Sequence, residues 1–140
     1  MTQEKISHFF ESLHQETSVE AFRDIYDDAI VFKDPFNEVE DVEAVHKIFA
    51  HMYDTLENPR FIITEYIGTE QTAYVKWDFI FAFKSEKEEQ CFEGVSRLEM
   101  NSKGLVTSHT DFWDAAEHIY GHLPLVGSLL RFVKQKIVGN

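Results

Sequence analysis

The main change in the spacing of apolar residues along this chain falls near Pro59, and that change constrains the fold more than any other feature. Before Pro59 the apolar residues recur at helical spacing, as Ile6, Phe9, Phe10 and Leu13 do. After Pro59 they alternate with polar residues at a period of two, which is typical of strands. Helices followed by a run of strands indicate a single α+β domain.

Three helices and one short strand are predicted in the first part of the chain. Residues 17–20 form a capping-box pattern, in which Thr17 caps a second, short helix. Residues 29–32 indicate a short strand, and the acidic residues 37–40 indicate a turn. A third helix is predicted from Asp41 to the pair Asn58-Pro59, which would end it.

Four strands are predicted in the second part, over residues 61–67, 73–83, 91–100 and 105–113. Short polar segments join them, which favours an antiparallel meander. The three N-terminal helices would then cover one face of a curved, cone-shaped antiparallel sheet. Such a cone leaves an interior that suits a small ligand.

The C-terminal residues 115–140 are predicted as a helical extension to a domain of residues 1–114. Apolar residues are interleaved there with Arg131, Lys134 and Lys136, and no acidic residue follows Glu117. This pattern predicts a basic amphipathic helix. We expect the helix to close the pocket or to pack on a partner subunit. Contact with a membrane surface is the weaker alternative, because three cations on an acidic chain are few for that role.

Charge and cysteine content exclude several classes of protein. The net charge of −12 argues against binding to nucleic acid, which needs a basic surface. Cys91 is the only cysteine, so an intrachain disulfide and a paired-cysteine motif are excluded. The N-terminal residues lack the order of a signal peptide, and no apolar run approaches the length of a membrane span. The expectation is a soluble, cytoplasmic protein.

The last predicted strand carries an unusual polar pair. His109, Asp111 and Trp113 alternate, so they share one face of an extended strand. A histidine beside a carboxylate can transfer protons in a pocket. The same pair could instead form a buried polar network that holds the strand, or a dimer contact.

Six further residues are candidates for contact with a ligand. Trp77, Phe79 and Phe81 share one face of their strand and, with Trp113, could form an aromatic wall around a flat apolar ligand, or plain core. Ser96 and Tyr53 are possible hydrogen-bond donors into the cavity. No metal or cofactor is predicted.

Asp34 and the histidines complete the set of candidate residues. Asp34 could be a general base near the pocket mouth, or it could cap a turn before Pro35. His46 and His51 are five positions apart, which is a poor chelating spacing on one helix. His118 and His122 have a better spacing, but Gly121 and Pro124 make a regular helix there doubtful.

Residues 26–35 (YDDAIVFKDP) resemble the segment of the ketosteroid isomerases that ends in the catalytic base and a proline. The order of elements over residues 1 to 114 resembles the nuclear transport factor 2-like superfamily, which includes these isomerases and the SnoaL-like polyketide cyclases. The resemblance implies a cone-shaped fold with a pocket and places Asp34 at the base position.

The same resemblance shows where this chain departs from the isomerases. Their oxyanion hole uses a tyrosine and a protonated aspartic acid as hydrogen-bond donors. Those positions fall on Phe10, which has no donor, and on Ser96, which donates more weakly. Ketosteroid isomerase activity is therefore not expected. SnoaL-like cyclases place an acid–base aspartate in the last strand, and Asp111 is the matching residue.

The predicted function is a pocket that binds a small, largely apolar molecule and transfers a proton. Asp34 or Asp111 would be the base and His109 the proton shuttle, in an isomerase-, cyclase- or lyase-like reaction. The alternative is a non-catalytic module that binds a ligand or another protein. A homodimer is also predicted, because the outer sheet face mixes apolar residues with charged ones, namely Tyr74, Ile80, Val95, Lys76, Asp78 and Arg97.

Overall fold

The helices follow the predicted order along the chain. The computed structural model describes residues 2–118 and 124–138. Its helices are α1 (Thr2–Ser12), α2 (Val19–Arg23), α3 (Val42–Thr55), α4 (Ala115–His118) and α5 (Pro124–Val138). The first three confirm the helices predicted from apolar spacing. Ser18, rather than Thr17, caps α2, because the Ser18 hydroxyl accepts a hydrogen bond from the Ala21 amide.

Six strands form one sheet, namely β1 (Tyr26–Lys33), β2 (Glu38–Glu40), β3 (Leu56–Gly68), β4 (Thr72–Phe83), β5 (Gln90–Met100) and β6 (Val106–Phe112). Their order across the sheet is β2-β1-β6-β5-β4-β3. The last four strands form the predicted antiparallel meander. β1 adds to it in parallel beside β6, and the short β2 occupies the segment that was predicted as a turn.

Helix α3 reveals the curvature of the sheet. It packs against both β1 and β3, which lie near opposite edges. One helix can contact both strands only if the sheet curves around it. Because α1 packs on β3 and α2 packs on α3, the three N-terminal helices cover the concave face. The predicted α+β class with a curved sheet is therefore confirmed.

The boundary between α3 and β3 lies earlier than the sequence predicted. Helix α3 ends at Thr55, and β3 begins at Leu56 and continues through Pro59. Proline lacks an amide N–H, but β3 is an edge strand, and its pairing with β4 shifts register between Glu57 and Arg60. An edge strand with a bulge tolerates the missing donor, so Pro59 does not mark the end of the helix.

Most buried apolar side chains form one group, here named the core cluster, between the N-terminal helices and the sheet. Phe22 illustrates its packing, since its ring contacts those of Phe9, Tyr26 and Phe49 at centroid distances of 5.1, 6.0 and 5.5 Å. The members of the core cluster are Ile6, Phe9, Phe10, Leu13, Phe22, Ile25, Tyr26, Ile30, Phe32, Val42, Val45, Phe49, Tyr53, Ala73, Val75, Leu98, Met100 and Val106.

The C-terminal helix α5 forms as predicted, and many of its apolar side chains are exposed, namely Leu129, Phe132, Val133, Ile137 and Val138. Residues 119–123, which include His122 and belong to the predicted C-terminal extension, lie outside the described residues. No helix in the described ranges is long and apolar enough to cross a membrane. The domain boundary near residue 114 stays a prediction.

Candidate functional site

A cavity lies between α3, the turn after β1 and the inner face of the sheet. Its outer part has a volume of about 520 Å³ and its inner part a volume of about 100 Å³. The two parts adjoin, because they share the lining residues Asp34, Ile48, Met52, Phe79, Phe92 and Trp113. Asp111 lines the inner part only. The cavity therefore leads from an open mouth to a carboxylate.

Four aromatic side chains, here named the cavity cluster, form the sheet side of this cavity: Trp77, Phe79, Phe81 and Phe92. Trp113 follows β6 and packs on Phe92, with ring centroids 4.8 Å apart. The structure thus brings the predicted aromatic residues Trp77, Phe79 and Trp113 together on one wall. Their contact with a ligand stays a prediction.

Asp111 is oriented by hydrogen bonds at the inner end of the cavity. The pairing of β5 with β6 places Ser96 directly opposite Asp111. Ser96 Oγ donates to Asp111 Oδ1 at 2.5 Å, and His109 Nε2 lies 2.6 Å from the same oxygen. The Asp111 side chain is 13% exposed. Among the residues that the structure describes, both hydrogen bonds reach Oδ1, which leaves Oδ2 available to a ligand.

The hydrogen bonds continue behind Asp111 to Tyr26 and Trp77. The Tyr26 hydroxyl lies 2.8 Å from His109 Nδ1, and Trp77 Nε1 donates to Ser96 Oγ at 2.9 Å. Tyr26 and His109 are each 1% exposed. The Tyr26 hydroxyl has no other acceptor within residues 2–118 and 124–138, so we assign its O–H as the donor to Nδ1. The imidazole is then neutral, and its Nε2–H donates to Asp111.

Three of the four donors in this network are directed toward Asp111 or its neighbour Ser96, and the fourth, Tyr26, donates to His109. His109 and Ser96 donate to the carboxylate, and Trp77 donates to Ser96. His109 and Ser96 do not line either part of the cavity. They lie one hydrogen bond behind its wall, whereas the strand pattern had placed His109 in the wall itself. His109 therefore contacts Asp111 through a hydrogen bond and does not itself reach the cavity.

Tyr26 belongs to the network, although the sequence did not single it out as a site residue. Its ring stacks on His109, with centroids 5.8 Å apart and an interplanar angle of 20°. Burial raises the pKa of Tyr26 well above its usual value, and the negative charge of Asp111 adds to the effect. The signal was weak, because an aromatic residue at the start of a strand usually indicates plain core.

Gly94 is a second supporting residue that the sequence did not indicate. It lies opposite Trp77 in the pairing of β4 with β5. A Cβ atom at position 94 would overlap the six-membered ring of Trp77. The absence of a side chain at Gly94 thus lets the Trp77 ring lie flat across β5, where its N–H reaches Ser96.

Asp34 caps a turn and also lines the cavity, while its role as a general base stays a prediction. Its Oδ1 accepts hydrogen bonds from the amides of Phe36 and Asn37 at 2.8 and 2.6 Å, so it caps the turn. The Asn37 side-chain amide also lies 3.2 Å from each carboxylate oxygen. Asp34 nevertheless lines both parts of the cavity. It is a fixed negative charge beside the ligand space.

Tyr53 is not brought to this cavity. It lies elsewhere on α3, beside Leu13 and His14, in a separate surface cleft. Its hydroxyl is buried and has no hydrogen-bond partner within the described part of the chain. Burial raises its pKa. The structure therefore gives no support to a donor role for Tyr53 in the cavity.

The described residues contain no group of three or more His, Cys, Asp or Glu side chains placed to hold a metal ion. His46 Nε2 donates a hydrogen bond to the Thr17 carbonyl at 2.8 Å. His51 instead lines the outer cavity. The two histidines on α3 are thus directed to different surroundings.

The fold and the cavity define a nuclear transport factor 2-like protein, with helices on the concave face of a curved sheet. The family model of the SnoaL-like domain matches residues 6–109, so the chain belongs to the family of SnoaL-like domains. No curated protein is detectably similar in sequence. The predicted family is therefore confirmed by sequence and by fold.

Solved structures with this fold have low sequence identity to the chain. One is an NTF2-like protein of unknown function from Burkholderia pseudomallei K96243, with a TM-score of 0.72, 13% identity, and coverage of 84% of this chain and 94% of that chain. Another, from Catenulispora acidiphila DSM 44928, has a ketosteroid isomerase-like fold and is in complex with trimethylamine; its TM-score is 0.69, with 12% identity and coverage of 82% and 86%.

A third similar structure is an LEH-like epoxide hydrolase from M. tuberculosis. Its TM-score is 0.67 at 13% identity, and the match covers 99% of this chain and 96% of that chain. The fold is thus shared with proteins of several activities. Identities of this size establish the fold alone. The chemistry of this chain depends on its own residues.

Proposed function

We propose that this chain binds a small, largely apolar molecule in the cavity and that Asp111 accepts a proton from it. The supporting observation is the position of Asp111, a mostly buried carboxylate at the inner end of a cavity with aromatic walls. Aromatic and aliphatic walls with few polar groups are typical of small-molecule sites. A general base must lie within hydrogen-bond reach of the proton that it removes. In this proposal Asp111 Oδ2, which accepts neither of the two network hydrogen bonds, removes the proton from a ligand in the inner cavity.

The surrounding residues have distinct roles in this proposal. His109 and Ser96 orient the Asp111 carboxylate, and Tyr26 holds the His109 tautomer that donates to it. Asp34 keeps its carboxylate in the turn and contributes a fixed charge. Asp111 is therefore the candidate catalytic residue, and the others position it.

The network also restricts the reaction. An oxyanion needs free N–H or O–H donors aimed at it. Phe10 offers none and packs against the His109 ring, with centroids 5.7 Å apart. Because Ser96 and Trp77 donate within the network, the arrangement favours removal of a proton without strong stabilisation of an enolate. The same observation supports the second candidate function, which is binding without catalysis.

Kemp elimination of 5-nitrobenzisoxazole tests the proposal without knowledge of the natural ligand. A base removes the C–H proton of this flat neutral compound, the N–O bond breaks, and a coloured cyanophenolate forms. We expect the chain to accelerate the reaction above an equal concentration of acetate. We expect Asp111→Asn to reduce that acceleration on the order of 10²-fold, the usual contribution of a general base.

Asp78→Asn is the matched control, because Asp78 lies on the outer face of β4 and the substitution changes the net charge equally. It should leave the rate unchanged. An equal rate for the wild-type chain and Asp111→Asn would remove Asp111 from the mechanism. If the wild-type chain gives no acceleration but binds the compound, the non-catalytic function is the correct one.

The predicted homodimer stays a prediction, and we propose the outer sheet face as its interface. Exposed apolar side chains on that face include Ile62, Tyr74 and Phe112. Sedimentation equilibrium checks this proposal, since Tyr74→Lys should favour the monomer. A wild-type monomer at all concentrations would contradict it.

A further inference from the structure

We infer that the cavity selects an organic cation, namely a small apolar molecule that carries an ammonium group. This inference rests on the proposed ligand pocket and specifies the charge of its ligand. It arises from three features of the inner cavity: the sign of its charges, the lack of a charged partner for Asp111, and the aromatic rings around it.

The charged groups that line the inner cavity are both acidic. Among the described residues they are Asp34 and Asp111, and no cationic side chain lines this part. Lys47 and His51 line only the outer part, where Lys47 is exposed to solvent. A ligand that reaches the inner cavity is therefore surrounded by negative charge and apolar surface.

In the described part of the chain, His109 is the one side chain paired with Asp111 that is able to carry a positive charge. The hydrogen bonds assign His109 as the neutral imidazole, because its Nδ1 accepts a hydrogen bond from the buried Tyr26 hydroxyl and therefore carries no proton of its own. Ser96 is a neutral donor as well. Buried charges in proteins are normally paired. The Asp111 side chain is 13% exposed, so its missing counter-charge has to come from solvent or from a ligand.

Aromatic rings complete the arrangement. Seven aromatic side chains line the inner cavity, namely Phe32, Phe49, Phe61, Trp77, Phe79, Phe92 and Trp113. The face of an aromatic ring attracts a cation, and tryptophan does so most strongly. Rings beside carboxylates thus favour an ammonium group over a neutral group of the same shape, and they disfavour an anion.

The inference is compatible with proton transfer at Asp111. A positive nitrogen makes an adjacent C–H group more acidic, so a cationic ligand is also a better proton donor. Asp34 can balance the charge while Asp111 Oδ2 accepts the proton. The two carboxylates then have different roles, as expected from their different hydrogen bonds.

Three water-soluble compounds of the same shape separate charge from size: choline, 3,3-dimethylbutan-1-ol and 3,3-dimethylbutanoate. Binding is measured by NMR from the Trp113 indole signal of the full chain. We expect choline to bind at least about tenfold more tightly than the alcohol and the carboxylate to bind least. Asp111→Asn should lower the affinity for choline several-fold and leave the affinity for the alcohol unchanged, whereas Asp78→Asn should change neither.

The outcomes distinguish this inference from the proposed function. If the alcohol binds as tightly as choline, the preference for a cation is wrong while the ligand pocket stands. Equal loss of choline affinity in Asp78→Asn would assign the preference to net charge and overturn the inference. If none of the three compounds binds, the inference fails, and the Kemp elimination rate, which uses a neutral substrate, decides separately whether the pocket proposal fails too.

Discussion

The core cluster and the cavity cluster occupy the same face of strand β4, yet one is filled by protein and the other faces an open space. Val75 belongs to the core cluster, and its neighbours on that face, Trp77 and Phe79, belong to the cavity cluster. Helices α1 and α2 contribute side chains to the core cluster. Only part of α3 and the turn after β1 cover the cavity cluster, so a space remains there.

The comparison shows that burial alone does not identify core. Phe79 and Val75 are both buried, but Phe79 lines the cavity and Val75 does not. The polar network crosses the boundary between the two regions, from Tyr26 in the core cluster to Asp111 in the cavity. The well-packed region therefore holds in place the carboxylate that the open region presents.

The largest expected difference between the two regions is in the free energy of unfolding that is lost when a phenylalanine ring is removed. Phe22→Ala should destabilise the chain by about 3–5 kcal/mol, because it leaves a hole in a region packed on all sides. Phe92→Ala should cost less than half as much, since the hole joins an existing cavity. Urea unfolding measures both. Equal losses would show that the cavity cluster is ordinary core.

A smaller effect is expected from removing two buried hydroxyls by the same substitution. Tyr26→Phe should destabilise the chain by about 1–3 kcal/mol, because it leaves His109 Nδ1 unpaired. Tyr53→Phe should stabilise it by about 1 kcal/mol, because the Tyr53 hydroxyl is buried without a partner in the described residues. Thermal unfolding measures both variants. A loss of stability in Tyr26→Phe and a gain in Tyr53→Phe would support the hydrogen-bond network, whereas a gain in Tyr26→Phe would contradict it.

The smallest expected effect is a change in the free energy of unfolding at alkaline pH. The pKa of Tyr26 is raised in the folded chain, so its contribution to stability is complete below the unfolded pKa of about 10. Above that pH the unfolded chain loses the proton first, and stability falls by up to about 1.4 kcal/mol per pH unit. The stability gap between the wild-type chain and Tyr26→Phe should therefore narrow between pH 9 and 11. If the stability difference between the wild-type chain and Tyr26→Phe stays constant over this pH range, the Tyr26 hydroxyl is not buried.

Much of the fold could be predicted because it depends on local pattern. The spacing of Ile6, Phe9 and Phe10 indicated α1, and strict alternation over 73–83 indicated β4. The end of α3 could not be predicted, because Pro59 is tolerated only by virtue of lying in an edge strand. Whether a strand is at an edge depends on the whole sheet.

The sequence identified several side chains that line the candidate cavity, but not their arrangement. The alternation of His109 and Asp111 identified the polar pair, and Asp34 was recognised as a charged group before Pro35. Neither Tyr26 nor Gly94 could be recognised, because each acts through a residue far away in sequence. Tyr53 was assigned to the cavity from its polarity, while the direction of its side chain depends on how α3 packs.

By itself the sequence determined the class of fold, the alternation of inner and outer faces along the four strands of the meander, and the polar and aromatic side chains from which a site could be built. Those properties follow from periodicity and side-chain type, which are local. Only the tertiary structure decided that β1 lies parallel beside β6, which brings Tyr26 to His109, and that Asp111 faces a cavity while His109 lies behind it. Such contacts join residues 83 positions apart for Tyr26 and His109. The physical reason is that strand pairing and helix placement depend on the packing of the whole chain, which no local pattern contains.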